Sequence, residues 1–361
     1  MRRRTMLGAG FATGATAIAA PALAQSAPQI SWRMSSSFPK SLDTIYGGCE
    51  TLARYVSDIT DGRFRIQPFA GGELVPPLQA IDAVSAGTIE MCHSTSFYNI
   101  GKDPTWALGA ALPFGLNARQ KQAWLQSGGQ ALLDTFYAAN NLVAFAAGDT
   151  GAQMGGWFRR EIKTVEDLKG LKFRVTGITG QILAKLGAVP QSIPAADTYP
   201  ALERGTIDAA EWIGPYDDEK LGFVRVAPYY YFPGWWEGSV VVHAFINQAK
   251  WQELPKSYQA ALTVACQAVH TDMLAKYDAK NPAALRRLAG SGAQLRPFSQ
   301  EILLACYKSA LEVYAEISAK NPGFKTIFDS YWGARSDAYL WQQISDYSYD
   351  AFNIATRQNR G

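Results

Sequence analysis

Two short stretches decide how this chain folds and what it can hold: residues 171–175, Leu-Lys-Phe-Arg-Val, and residues 205–212, Gly-Thr-Ile-Asp-Ala-Ala-Glu-Trp. The first has the pattern of a short strand and carries one arginine, Arg174. The second is a glycine turn into a strand that ends in Glu211 beside the indole of Trp212. A guanidinium can hold a small carboxylate through two hydrogen bonds, and a nearby carboxylate can hold a cation. The pair therefore suits a binding site for a small organic acid.

The N-terminus has the features of a secretory signal peptide. Three arginines at residues 2–4 precede a mildly apolar run at residues 7–22, and Ala-Leu-Ala at residues 22–24 offers a small-residue cleavage site. Adjacent arginines before a weakly apolar core resemble a twin-arginine signal, and the run is too short for a membrane-spanning helix. We predict that residues 1–24 are removed and that the mature protein lies in the periplasm.

Composition excludes several functional classes. Without residues 1–24 the chain has 337 residues, and because three arginines and no acids are lost, its formal net charge falls from +3 to 0. Such a chain has no basic face for nucleic acid or membrane. Its length and its 48% of hydrophobic residues favour two domains or one large one. The four cysteines include no CxxC pair and are predicted to be buried free thiols, with Cys266 and Cys306 as the pair to test for a disulfide.

Strand and helix patterns alternate along the first two thirds of the mature chain, which predicts an α/β fold. Strands are predicted at residues 30–34, 64–69, 89–94, 143–147, 154–159 and 171–175, and helices at residues 43–60, 78–86, 164–169, 180–186 and 198–203. Residues 78–90 and 199–208 repeat one pattern, in which a helix is followed by Gly-Thr-Ile, an acid and a strand. Two similar halves would fit a two-lobed binding protein, although chance similarity of a common turn is an alternative.

The chain is predicted to turn helical after Val240, with helices at residues 255–278, 282–289, 300–319 and 334–356. The last of these carries apolar residues at helical spacing and further aromatic residues on other faces, namely Leu340, Ile344, Tyr347, Ala351 and Ile354 with Trp341, Tyr349 and Phe352. A terminal helix that is apolar on several faces needs more than one neighbour. It either packs deep in its own chain or inserts into a partner.

Motifs of several enzyme classes are missing from the mature sequence. His93, His243 and His270 lack metal-site spacing and are predicted to be structural, and there is no GxSxG, P-loop or GxGxxG motif. Asp217 and Asp218 are expected to lie at a solvated helix N-terminus, where acids are favourable.

Two further acids stand among large aromatic residues. Glu211 and Glu237 abut apolar side chains, where an ionised carboxylate needs a partner. A secreted glycosidase that uses these two carboxylates is one alternative. For Arg174, spacing alone favours a solvent-facing side chain on a half-buried strand.

Four segments together resemble a known receptor family. They are residues 153–158 (QMGGWF), 167–175 (DLKGLKFRV), 205–212 (GTIDAAEW) and 233–237 (PGWWE). They are similar to the DctP-type solute receptors of tripartite ATP-independent periplasmic (TRAP) transporters, and most similar to the branch that binds 2-oxo monocarboxylates with a metal ion. The resemblance covers the mature chain and reverses the preference for a solvent-facing Arg174.

The resemblance implies a two-lobed, type II-like periplasmic solute-binding fold with a cleft between the lobes and a long C-terminal helix. The first α/β lobe is expected at residues 25–150 plus about 238–280, and the second at residues 151–237 plus about 281–333. Residues 334–361 are expected to form a helix that mediates dimerisation, each helix packing on the other subunit. A helix folded back on its own lobes is the alternative.

The resemblance also assigns roles to residues. Arg174 would clamp the ligand carboxylate, with Tyr98 as a first-lobe contact. The cation would be held by the side-chain oxygen of Gln153, the carboxylates of Glu211 and Glu237, and the main-chain carbonyl of Trp212, and Gln153 and Trp212 would thereby also border the ligand. Ligation by oxygen alone suits Na⁺, which is favoured here, or Ca²⁺, rather than zinc.

The function implied is a receptor without enzymatic activity. It would bind a 2-oxo acid such as pyruvate with a cation and deliver it to a TRAP membrane permease. Lactate or a C4-dicarboxylate is an alternative ligand within the class. A dicarboxylate needs a second cationic clamp, and the sequence shows no second arginine motif beside the first.

Overall fold

The computed structural model describes residues 28–358, so the predicted signal peptide at residues 1–24 lies outside the described residues. The strands are, in chain order, β1 (Ile30–Ser36), β2 (Phe64–Phe69), β3 (Met91–Ser94), β4 (Leu142–Asp149), β5 (Trp157–Phe158), β6 (Lys172–Arg174), β7 (Val189–Gln191), β8 (Ala209–Ala210), β9 (Tyr229–Phe232), β10 (Val241–Asn247) and β11 (Gln294–Pro297).

Helices cover the sheets and form the C-terminal third. They are α1 (Ile45–Ile59), α2 (Ala80–Ser85), α3 (Trp106–Ala110), α4 (Ala118–Trp124), α5 (Gln130–Ala139), α6 (Thr179–Lys185), α7 (Ala195–Glu203), α8 (Pro215–Leu221), α9 (Gln248–Glu253), α10 (Lys256–Gly290), α11 (Gln300–Lys320), α12 (Pro322–Gln342) and α13 (Asp346–Gln358). Within residues 28–358, none of these helices is both long and apolar enough to cross a bilayer.

The two sheets repeat one topology. The first has the order β2-β1-β3-β10-β4 and the second the order β11-β9-β5-β8-β6-β7. In each, three neighbouring strands are parallel and the next strand, β10 or β5, runs antiparallel to both of its neighbours. That antiparallel strand arrives from the other half, because the chain crosses from β4 to β5 and returns from β9 to β10. The predicted α/β class is confirmed, and two crossing segments join the sheets.

The repeated Gly-Thr-Ile pattern forms the same local structure in both halves. Gly87 and Gly205 end their helices with φ of +75° and +71°, a region that glycine adopts without strain. The acids that follow, Glu90 and Asp208, each accept a backbone N–H from the neighbouring parallel strand, at 2.8 and 3.0 Å. The repeat in the sequence therefore corresponds to equivalent positions in the two sheets.

The prediction that the chain turns helical directly after Val240 is wrong. Val241–Asn247 is a fully buried strand inside the first sheet. A strand buried on both faces shows a continuous apolar run without alternation, and periodicity does not separate such a run from a helix.

The predicted helices at residues 255–278 and 282–289 are one helix, α10, with Pro282 in its interior. Proline removes one backbone hydrogen bond and usually ends a helix. Here the helix packs on β4 and α1 beside the first sheet and on α8 beside the second, so tertiary contacts sustain it. The expected lobe boundary near residue 280 lies inside this helix, and we propose that the two lobes share it.

The C-terminal segment is helical, as expected, but with different limits. It begins at Pro322, where the Asn321 side chain caps α12 by accepting the Phe324 N–H at 2.9 Å. Residues 343–345 interrupt the helix before α13. The predicted apolar stripe is not covered by the chain's own lobes, because its large members Leu340, Ile344, Tyr347 and Ile354 are each more than 60% exposed.

All four cysteines are buried and free, so Cys266 and Cys306 form no disulfide. The histidines are structural: the rings of His93 and His270 bond main-chain carbonyls at 3.0 Å, and His243 is buried in β10.

Gly156 is predicted to be required for the close approach of β5 to β8. Its φ is +84°, and an added Cβ would lie 2.7 Å from the Ala210 carbonyl oxygen. We expect Gly156→Ala to lower the free energy of unfolding by about 1–3 kcal/mol, measured by urea denaturation. Gly333→Ala is the control. Gly333 lies in the helix α12, and a Cβ added to it would have no neighbouring atom within 4 Å. Equal stability of the two variants would contradict this account.

Candidate ligand and cation site

A pocket lies between the two sheets, beside the crossing segments. Its walls come from the loop before α1, the turn after β3, both crossings, and the ends of β6 and β8. The lining residues are Phe38, Ile45, Thr95, Phe97, Tyr98, Thr150, Gln153, Arg174, Thr176, Glu211, Trp212, Ile213, Glu237, Val240 and Val242. The structure thus brings all six residues predicted for the site to one pocket.

Arg174 is fixed inside the pocket and does not face solvent, since only 2% of its surface is exposed. Its Nη1 donates to the Glu211 main-chain oxygen at 2.5 Å and to Glu211 Oε2 at 3.0 Å, while Nε donates to the Ile193 carbonyl at 3.1 Å. The Trp212 ring stacks on the guanidinium, with 4.9 Å between Cζ and the ring centroid. These contacts pre-orient a group that can clamp a carboxylate.

Tyr98 lies in the short turn after β3, close to Arg174. Burial raises the pKa of its hydroxyl to about 12, and the positive charge of Arg174 opposes that rise. The hydroxyl therefore stays protonated and can donate a hydrogen bond into the pocket.

Glu211 and Glu237 form a buried pair of acids. They are 1% and 3% exposed, and their carboxyl groups are hydrogen-bonded to each other. Burial raises the pKa of both carboxyls above the usual value. Arg174 opposes the rise in each, and the charge of Glu211 adds to the rise in Glu237. Two adjacent buried carboxylates need a shared proton or a cation between them, and Arg174 balances only one of the two charges.

Gln153 adds a carbonyl oxygen without a hydrogen-bond partner to this pair. Its Nε2 donates to Thr150 Oγ1 at 3.0 Å and its backbone N–H to the Glu237 carbonyl at 3.2 Å. Its Oε1 is buried and receives no hydrogen bond, which is costly unless another group satisfies it. A cation held by this oxygen, both carboxylates and the Trp212 carbonyl would do so.

The donor set fits a hard cation. All four candidate ligands are oxygens, as Na⁺ and Ca²⁺ prefer. Among residues 28–358 no group of three or more His, Cys, Asp and Glu side chains is placed to hold a metal, so the amide and main-chain oxygens are needed to complete the shell.

The expectation that Asp217 and Asp218 are solvated is wrong. They are 0% and 1% exposed. Asp217 Oδ2 accepts the Tyr277 hydroxyl at 2.8 Å, and Asp218 Oδ2 accepts Trp157 Nε1–H at 2.9 Å and the Tyr230 hydroxyl at 2.6 Å. Burial raises the pKa of Asp217 to about 7 and that of Asp218 to about 6. Both acids belong to the first turn of α8 and are buried there, which their charge alone did not indicate.

The glycosidase alternative is wrong. The two carboxyl groups of a glycosidase stand at least about 5 Å apart, to leave room for the sugar bond and water. Those of Glu211 and Glu237 are in direct hydrogen-bond contact. Arg174 is also the one basic residue among those that line the pocket, which favours a ligand with a single carboxylate.

Residues 35–321 match the DctP family, bacterial extracellular solute-binding protein, family 7. A monocarboxylate 2-oxoacid-binding periplasmic protein of Nostoc sp. is 46% identical over 360 residues, which cover 98% of this chain and 99% of that relative.

Two solved structures have the same fold over nearly their whole length. A TRAP transporter solute-binding protein from Bordetella bronchiseptica is 49% identical with a TM-score of 0.91, covering 92% of this chain and 100% of that one. It is a mixed-occupancy dimer in which one active site holds co-purified calcium and picolinate. A TRAP periplasmic solute-binding protein from Pseudoalteromonas atlantica, with bound sodium and pyruvate, is 36% identical with a TM-score of 0.87, covering 89% and 98%.

Arg174→Met should destabilise the protein in a pH-dependent way. It leaves two buried carboxyls without a cation, which costs on the order of 3 kcal/mol when they are ionised. A buried acid with a raised pKa binds more protons in the folded than in the unfolded state, so its contribution to stability is lost as pH rises above about 4.5. Without Arg174 the pKa values rise further, and the gap to wild type should widen between pH 5 and pH 8.

Urea denaturation in cation-free buffer measures this gap, with Lys172→Met as the control because Lys172 is exposed on the same strand. A gap of the same size at both pH values would show that Arg174 does not balance the acid pair.

Proposed function

The chain belongs to the DctP family of bacterial extracellular solute-binding proteins, and from this premise we propose that it binds a 2-oxo monocarboxylate such as pyruvate together with a metal cation. It is a receptor and not an enzyme. The observation that carries the proposal is the buried Glu211–Glu237 pair beside the unpartnered oxygen of Gln153, facing a single arginine.

The ligand class follows from the chemistry of a cation in this position. Pyruvate, bound with sodium by the Pseudoalteromonas relative, and picolinate, bound with calcium by the Bordetella relative, both carry a second donor atom on the carbon next to the carboxylate. In one it is the 2-oxo oxygen and in the other the ring nitrogen. Both can chelate a cation in a five-membered ring while Arg174 holds the carboxylate. A C4-dicarboxylate would leave its second charge without a basic partner in the pocket.

The identity of the ion depends on protonation. With both acids ionised, Glu211, Glu237, Arg174 and a ligand carboxylate sum to a formal charge of −2, which Ca²⁺ neutralises and Na⁺ does not. Na⁺, favoured from the sequence, balances the site only if one acid keeps its proton. The charge count thus supports Ca²⁺ with two ionised acids, and Na⁺ with one.

Delivery to a membrane permease completes the proposed function. Support comes from the family, whose members are extracellular, and from the predicted signal at residues 1–24. We place the mature protein in the periplasm and its partner in the TRAP permease.

Ligand and cation should bind as one linked unit. Because the cation would touch the ligand, removing it should weaken pyruvate binding at least tenfold through linkage. The measurement is isothermal titration of pyruvate under three conditions: after exhaustive chelation, in sodium-free buffer, and with both treatments together. The comparison shows whether Ca²⁺ or Na⁺ supports pyruvate binding. Glu211→Gln should weaken ion and pyruvate binding together.

The matched control is Glu219→Gln, since Glu219 is a partly exposed carboxylate on α8 that pairs with Arg287 of α10 and does not line the pocket. Titrations with lactate and malate test the ligand class. Pyruvate binding that is unchanged when both ions are absent would refute the cation-bridged site, and tighter binding of malate than of pyruvate would refute the monocarboxylate assignment.

We also propose that α13 mediates a homodimer. One face of α12 is held to the chain's own body, since Arg335 Nε donates to the Phe114 carbonyl and Gln342 Oε1 accepts from Asn117 and Gln120. Beyond it, α13 exposes a large apolar surface, and monomers rarely leave such a patch uncovered. The Bordetella relative is a dimer, which supports self-association, while the choice of α13 as the surface rests on its exposed apolar residues.

Deleting residues 346–361 should convert the protein to a monomer that still binds pyruvate, because the anchors of α12 and the pocket remain. Sedimentation velocity at micromolar concentrations measures this. Leu304→Ser is the control, since Leu304 is 59% exposed on α11, outside the deleted residues 346–361. A full-length protein that sediments as a monomer would defeat the proposal.

A further inference from the structure

We propose that Asp218 is a positioning residue for the cation site, which orients the Trp212 carbonyl and favours a divalent over a monovalent ion; this rests on the proposed cation binding. Asp218 is not a candidate ligand itself. It lies on the first turn of α8, behind the segment that carries Glu211 and Trp212.

The orientation follows from peptide geometry. The backbone N–H of Ile213 donates to Asp218 Oδ1 at 3.4 Å. This N–H belongs to the same peptide unit as the Trp212 carbonyl, and in a trans peptide the two groups point in opposite directions. An acceptor on the α8 side of the unit therefore aims the carbonyl away from α8. Because Trp212 and Ile213 line the pocket, we infer that this direction is the pocket side of the segment, where the cation is proposed to bind.

The neighbouring peptide units are held as well. Glu211 N–H donates to the Arg174 carbonyl at 3.1 Å, and the Ile213 carbonyl accepts Met154 N–H at 2.9 Å. The main chain on both sides of the Trp212 carbonyl is therefore fixed to β6 and to the first crossing.

Asp218 is held rigidly by the second sheet. Its Oδ2 accepts the Trp157 indole N–H and the Tyr230 hydroxyl at 2.9 and 2.6 Å. The two rings are stacked with centroids 3.9 Å apart. A buried carboxylate with such fixed donors can hold a metal-ligating group in place, as outer partners of metal sites do.

The charge of Asp218 also reaches the site. Its carboxylate accepts the N–H of Ile213, the residue directly after the proposed ligand Trp212. A negative charge stabilises a cation in proportion to the charge of the ion. Its removal should therefore cost a divalent ion about twice the free energy that it costs a monovalent one, so that the fold-loss for Ca²⁺ is about the square of the fold-loss for Na⁺.

Asp217 is a matched control. It is the preceding residue, is as deeply buried, and is also bonded to a tyrosine hydroxyl, that of Tyr277 on α10. It makes no hydrogen bond to the segment of residues 211–213 among those described. Asp217→Asn removes the same charge from the same turn without touching the Trp212–Ile213 peptide.

The test titrates CaCl₂ and NaCl separately into chelator-treated, full-length mature protein without organic acid, at about pH 8, by calorimetry. Asp218→Asn should weaken Ca²⁺ binding about tenfold and Na⁺ binding about threefold, and Asp217→Asn should change either by less than about twofold. Tyr230→Phe keeps the charge of Asp218 but removes one anchor, so it should weaken both ions by similar factors.

Equal losses for the two ions in Asp218→Asn would overturn the charge role, and equal effects of Asp217→Asn and Asp218→Asn would overturn the positioning role. If the wild type binds only one of the two ions, the affinities of Asp217→Asn and Asp218→Asn for that ion test the positioning role. If Asp218→Asn does not unfold cooperatively, Tyr230→Phe carries the test, and no loss in that variant overturns the proposal. A wild type that binds neither ion instead overturns the proposed cation site.

Discussion

The rest of the structure depends on one constraint, the burial of two acids against a single guanidinium. Glu211 and Glu237 are nearly fully buried and interact with each other, and Arg174 pairs with Glu211 at 3.0 Å and so neutralises one charge. A buried unbalanced charge is costly unless the surroundings fix and satisfy it. This explains why Arg174 is tied to main-chain oxygens on both sides and capped by an indole. The site is built to hold a positive charge that the chain does not itself supply.

The topology places this unbalanced buried charge at the two crossing segments that connect the sheets. Gln153 lies on the crossing from β4 to β5 and Glu237 on the return from β9 to β10, and the two crossings are bonded through the Thr150 and Val240 backbones. A second set of contacts joins the two halves, since Asp43 before α1 is held by the Tyr216 hydroxyl at 3.0 Å and by Lys220 and Lys280. Any group that binds between Gln153, Glu237 and Arg174 therefore acts on the segments that set how the sheets face each other.

The α/β class could be predicted from the alternation of strand and helix patterns, but not every element in it. Arg174, Glu211, Trp212 and Glu237 stand in motifs that resemble a known family, and that resemblance placed them in one site, whereas spacing alone favoured a solvent-facing Arg174. The strand β10 could not be predicted, because an apolar run buried on both faces has no strand period. The buried state of Asp217 and Asp218 depends on tyrosine and indole donors from β5, β9 and α10, which lie up to 61 residues away. The threonines of the pocket give no signal, since threonine is common near strand ends.

The proposed site uses two acids and a cation, although a second arginine would also bind an anion. This difference affects which ligands the site accepts. A second guanidinium would accept any further carboxylate within reach and would favour dicarboxylates. A cation that is already held by four protein oxygens offers its remaining positions to oxygens in a fixed relation, and a carboxylate with a donor on the adjacent carbon meets that demand. In the proposed complex the single arginine identifies the carboxylate, and the cation identifies the atom beside it. Discrimination then rests on the ligand's first two carbons, and the apolar wall of Phe38, Phe97 and Val242 is left to accept the rest of its carbon chain.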